Sequence, residues 1–124
     1  MNITKSFVAT LSLIVTAAAF AGGDFKPKYG GVVQEVSEIQ YEVVATPNGI
    51  AIYVEDHSKK VDTKGASAKV SLLNGIEKSE VTLVPAGANK LDAKGSFNVK
   101  SGTKVTAVVT LAGKAPRTIR VFVP

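Results

Sequence analysis

Glu55-Asp56-His57 is the one run in this chain whose side chains stand out as suited to chemistry. His57 is the only histidine, and the chain contains no cysteine. An imidazole beside carboxylates is a ligand set for a divalent metal. One imidazole with one or two oxygens falls short of the four-ligand shell that structural zinc takes, and no thiolate is present to complete it. Met1 is the only methionine, so thioether ligation adds nothing. The run therefore supports at most a weakly bound Zn or Cu ion centred on His57, with Asp56 as an oxygen ligand. A plainer reading stands beside it. Asp56 and His57 end a strand and order the loop that follows through side-chain-to-backbone hydrogen bonds.

Catalysis finds little to work with. A hydrolytic triad needs nucleophile, base and orienting group in mutual contact. His57 is the only imidazole base, and its neighbour Ser58 would point to the opposite face of a strand. No Gly-x-Ser-x-Gly elbow occurs, and the ten acidic residues show no pair set for glycosidase work. Gly30-Gly31 lacks the strand-to-helix context of a phosphate-cradling loop. No catalytic or cofactor-binding residue is expected, and the chain reads as a non-enzyme.

The elements that must hold these residues begin after an export signal. Lys5 gives a positive start, and Phe7 to Phe20 carry no charge. That run is shorter than the about 20 apolar residues of a membrane-spanning helix. Ala19-Phe20-Ala21 then offers small residues at both positions of a signal-peptidase site. Residues 1–21 are expected to form a signal-peptide helix that is removed, leaving a periplasmic protein starting near Gly22 with no membrane insertion. That start, Gly22-Gly23-Asp24, has no histidine in third place, so the amino-terminal copper chelate is absent. Cleavage removes only Lys5 from the basic count and leaves 14 basic against 10 acidic residues, a net +4. The lysines are scattered singly apart from Lys59-Lys60, without the basic stripe and interleaved aromatics of a nucleic-acid binder.

A polar leader, residues 22–29, precedes one domain, residues 30–124. Apolar residues alternate with polar ones over Ile39 to Val44 and Ile50 to Glu55, with Thr46-Pro47-Asn48-Gly49 as a hairpin turn between them. Alternation returns over Lys69 to Leu73, at Val81 and Leu83, over Val105 to Leu111 and over Ile119 to Val123. Asn74-Gly75, Ser101-Gly102 and Gly113 to Pro116 mark turns. Asp56 to Ser67 reads as a long loop, Pro85 to Lys94 as a connection whose Leu91 plugs the core, and Phe97 to Val99 as a short strand. Turn signals about every 8–12 residues predict an all-β antiparallel sandwich of about seven to eight strands, immunoglobulin-like in architecture, in preference to a closed barrel. Without cysteine, stability must come from packing alone.

Several motifs resemble a known group: Tyr29-Gly30-Gly31-Val32-Val33, Tyr41-Glu42-Val43-Val44, Ile52-Tyr53-Val54-Glu55-Asp56-His57, Val61 to Ala66, and Leu83 to Leu91 followed by Gly95 to Phe97. Together they resemble small periplasmic β-domain proteins of Gram-negative bacteria, which are similar to segments of heavy-metal efflux adaptor proteins. The resemblance implies a non-enzymatic accessory domain for metal efflux or tolerance, working through a periplasmic protein partner such as an efflux component. The group's Asp-His step is kept as Asp56-His57 and its strand glutamate as Glu42, so the oxygen ligand of any metal at His57 is expected to be Asp56 or Glu42. Tyr29 stands where members of that group often carry a histidine before the two glycines.

Overall fold

The computed structural model describes residues 25–124. The expected signal peptide, with its helix and cleavage site, lies outside the described residues. Nine strands follow in order: β1 (Val32–Val36), β2 (Ile39–Thr46), β3 (Gly49–Asp56), β4 (Lys59–Lys60), β5 (Ser67–Asn74), β6 (Glu77–Pro85), β7 (Lys90–Lys94), β8 (Lys104–Thr110) and β9 (Arg117–Phe122). The described residues contain no helix.

Period-two patterning explains the strands. Ile50, Ile52 and Val54 of β3, Ala68, Val70 and Leu72 of β5, and Val105, Ala107 and Val109 of β8 all turn to one side and are fully buried, while their neighbours face outward. All pairings are antiparallel, and they run β1-β2-β3-β7-β6-β5-β8-β9, with β4 attached to the end of β3. This one path bends into a nearly barrel-shaped sheet around the core. Its ends, β1 and β9, meet where the Arg120 N–H donates to Gln34 Oε1 at 2.7 Å.

The β2–β3 hairpin forms where the sequence places it. Thr46 pairs with Gly49 across Pro47-Asn48, and Thr46 Oγ1 accepts from the Asn48 N–H at 3.3 Å and donates to the Gly49 carbonyl at 3.1 Å. Asn74 likewise pairs with Glu77 across Gly75-Ile76, with Gly75 at a φ of 63°. Two other tight turns carry left-handed residues that are not glycine. Ser37 and Glu38 sit at φ 52° and 69°, and His57 and Ser58 at φ 50° and 73°, the signs a type I′ hairpin turn demands.

Three local expectations need revision. The stretch after Asp56 is no continuous loop, because the His57-Ser58 turn folds Lys59–Lys60 back onto β3 as β4. Pro85 to Lys94 contains a strand, β7, which carries the buried Leu91 into the sheet between β3 and β6. Phe97 to Val99 forms no strand. The Phe97 N–H donates to the Pro47 carbonyl at 2.8 Å and the Val99 N–H to the Phe97 carbonyl at 3.0 Å. This tight local turn leaves both side chains half-buried against the core.

Candidate functional site

The register of β1, β2, β3 and β7 sets rows of side chains across the outer face of the sheet. Val33 pairs with Glu42, Glu42 with Tyr53, and Tyr53 with Lys90. One row along, Glu35 pairs with Gln40, Gln40 with Glu55, and Glu55 with Lys60. Unlike its neighbours, β2 is buried on both faces. Tyr41 and Val43 enter the core, while Gln40 and Glu42 are covered from outside.

The cover over Glu42 is the chain that leads into β1. Glu42 Oε1 accepts the Lys28 N–H at 2.7 Å, and Oε2 accepts the N–H groups of Tyr29 and Gly31, both at 2.8 Å. A buried carboxylate is tolerated when hydrogen-bonded in this way. It converts the end of the polar leader from a loose segment into a docked strap. Gly31 is required for that docking, because a Cβ there would lie 2.2 Å from the Val43 carbonyl oxygen. Glycine allows this close backbone approach.

The strap carries Tyr29 onto Tyr53. Their rings stack at 3.7 Å between centroids and 6° between planes, and Lys90 Nζ lies 5.6 Å from the Tyr53 centroid. Lys28 Nζ bonds Glu55 Oε1 at 2.8 Å, while the Tyr29 hydroxyl lies 3.5 Å from Glu55 Oε2. The hydrogen bond that Lys28 donates to Glu55 raises the Lys28 pKa above its ordinary value. Around these groups lies a surface cleft of about 310 Å³. Phe25, Lys26, Tyr29 and Tyr53 contribute its aromatic and cationic lining, with Gln40 and Glu42 among its other residues.

His57 lies at the end of β3 in the turn to β4. Its backbone N–H donates to Gln40 Oε1 at 2.8 Å. Gln40 Nε2 in turn reaches Glu35 Oε2 at 3.1 Å and the Glu38 carbonyl at 3.2 Å, so one buried amide ties together both left-handed turns. The His57 ring is exposed, with Nδ1 2.6 Å from Asp56 Oδ1. That hydrogen bond, helped by the Asp56 charge and more weakly by Glu38 and Glu35, raises the His57 pKa.

Of the three residues singled out for metal, the structure brings Asp56 and His57 together. Glu42 is committed to the strap, and among the described residues no three histidine, aspartate or glutamate side chains form a group that could hold a metal ion. Sequence reasoning missed Lys28, Tyr29, Tyr53 and Lys90 as a unit. The available signal was Gly30-Gly31 just before a strand, since glycine there reports a close backbone approach. No protein-family model matches the chain, and comparison with curated proteins and with solved structures brings no match either.

Proposed function

We propose that this protein is a non-enzymatic periplasmic accessory domain, exported by a cleaved signal, that works in heavy-metal efflux or tolerance by binding a protein partner through the Tyr29–Tyr53 cleft. The observation that carries this reading is the cleft itself. Stacked aromatic rings flanked by lysines present rigid apolar area with charged rims, the composition favoured where proteins recognise one another. The groups that line it are engaged in holding its shape: Glu42 binds the strap, Glu55 binds Lys28, and Gln40 binds the His57 backbone. The finer architecture belongs to the same proposal. Strand β6 pairs with β5 up to Leu83 and with β7 at Val84 and Pro85; a division of the path there, into β1-β2-β3-β7 and β6-β5-β8-β9, would supply the two layers of an immunoglobulin-like sandwich.

A second reading is a weak divalent-metal site at His57. The 2.6 Å contact of Asp56 with Nδ1 favours it, because a carboxylate on one ring nitrogen orients the other for ligation.

Complementation of a gene deletion separates the two. Loss of the gene should sensitise cells to zinc or copper. His57→Ala should restore tolerance, whereas Tyr53→Ala should not. Rescue by Tyr53→Ala together with failure of His57→Ala would reverse the preference, and a deletion without any metal phenotype would remove the link to efflux.

A further inference from the structure

Strand β6 is paired from Glu77 to Leu83 on one side and only at its last two residues on the other. On the first side β5 runs from Ala68↔Leu83 to Asn74↔Glu77. On the other, β7 takes Val84 and Pro85 alone. Beside the rest of that edge runs a groove of about 460 Å³ with Ser96, Phe97 and Asn98 across from it. Asn98 Nδ2 donates to Glu77 Oε1 at 3.1 Å and its carbonyl accepts from Asn74 Nδ2 at 2.9 Å at the turn end, but no strand of the described chain pairs with Lys78 to Thr82 on that side.

In an antiparallel ladder, alternate residues turn their N–H and C=O away from the partner strand. Asn74 and Glu77 close the two-residue turn and so form a hydrogen-bonded pair. Counting from there, Ser79 and Val81 bond inward to β5, while Lys78 and Glu80 present their backbone groups to the open side. No turn or loop backbone bond reaches Lys78 or Glu80. Their side chains are well exposed, 3.5 Å apart on one face of the strand.

We propose that this edge pairs with the same edge of a second copy of this chain, antiparallel, about a two-fold axis at Ser79. The charge pattern selects that occupant and that register. With Ser79 opposite Ser79, Lys78 of each copy lies opposite Glu80 of the other, and each such pair exchanges two backbone hydrogen bonds. Moving the axis to Lys78 sets lysine against lysine, and moving it to Glu80 sets glutamate against glutamate. Charges on an edge strand ordinarily oppose pairing. Here their alternation opposes the neighbouring two-fold registers and favours one. The contact is isologous and closes at two copies. It lies on a different part of the sheet from the aromatic cleft and does not depend on the role given to that cleft.

Sedimentation equilibrium of the purified protein at low salt tests this, with circular dichroism checking that each variant folds. The wild type should be a concentration-dependent dimer. Lys78→Glu and Glu80→Lys, each of which sets like charges opposite one another at both pairs, should each weaken association by about tenfold or more. Mixing the two variants should restore it, because Lys78→Glu of one chain then faces Glu80→Lys of the other, and Glu80 faces Lys78. A wild type that stays monomeric at every concentration overturns the proposal. So do single variants that associate like wild type, or a mixture no stronger than its components.

Discussion

Glu42 shows how one side chain can determine whether a segment belongs to the fold. Three backbone N–H groups end on its carboxylate. Glu42→Ala should therefore cost about 3 kcal/mol in denaturant unfolding, from lost charge-assisted bonds and from donors left without partners. It should also release the strap, so that trypsin cuts after Lys28 far faster than in wild type. Unchanged stability and unchanged cleavage would show that the strap docks without Glu42. His57 makes the opposite kind of prediction, because its ring is exposed and its partner is local. A nuclear magnetic resonance titration of the ring should give a midpoint above the unperturbed value of about 6.5, and Asp56→Asn should bring it back toward that value. The sign for stability follows from the raised folded pKa. The contribution of the Asp56–His57 pair is complete below the unfolded value and is lost as pH rises through the folded one. A midpoint indifferent to Asp56→Asn would mean that the 2.6 Å contact does not persist in solution.

At the scale of elements, the contrast between Leu91 and Phe97 is the informative one. Leu91 is fully buried within β7, and Phe97 is half-buried beside the β6 edge. Leu91→Ala should cost about 2–5 kcal/mol, the range for a large core side chain, and Phe97→Ala about 1–2 kcal/mol, below the about 3–5 of a fully buried phenylalanine. Equilibrium unfolding of both variants checks the order, and a larger loss at Phe97 would reverse it. These two positions also mark how much of the fold is legible in the sequence. The strands β3, β5 and β8 could be read because each turns alternate apolar residues into the core, and β2 because polar Gln40 and Glu42 alternate with Ile39, Tyr41 and Val43 although both of its faces are covered. The strand β7 could not, because Lys90-Leu91-Asp92-Ala93-Lys94 carries one large apolar residue among charges and looks like a loop. Phe97 and Val99 alternate like a strand, yet the hydrogen bond from Phe97 to Pro47 turns the chain there. The candidate site was half legible. Asp56 and His57 are neighbours in sequence and remain neighbours in space. Glu42 was noticed as a ligand, while its use in binding the strap depends on chain entry from residues 28–31, which no periodicity reports.

For the whole molecule, the same economy runs from core to surface. A cysteine-free chain relies on a sheet that nearly closes on itself, which leaves few unpaired edges. The outer face of β1, β2, β3 and β7 then becomes a platform on which the strap builds an aromatic cleft. The central claim is that a periplasmic protein partner binds there. Site-specific photocrosslinking in intact cells tests it most directly, with a photoreactive residue at Lys26 beside the cleft and, as a control, at Lys114 in the turn before β9. The account predicts a discrete adduct with one protein from position 26, none from position 114, and loss of the adduct when Tyr53→Ala is added. No adduct from position 26, or the same adduct from both positions, would contradict it.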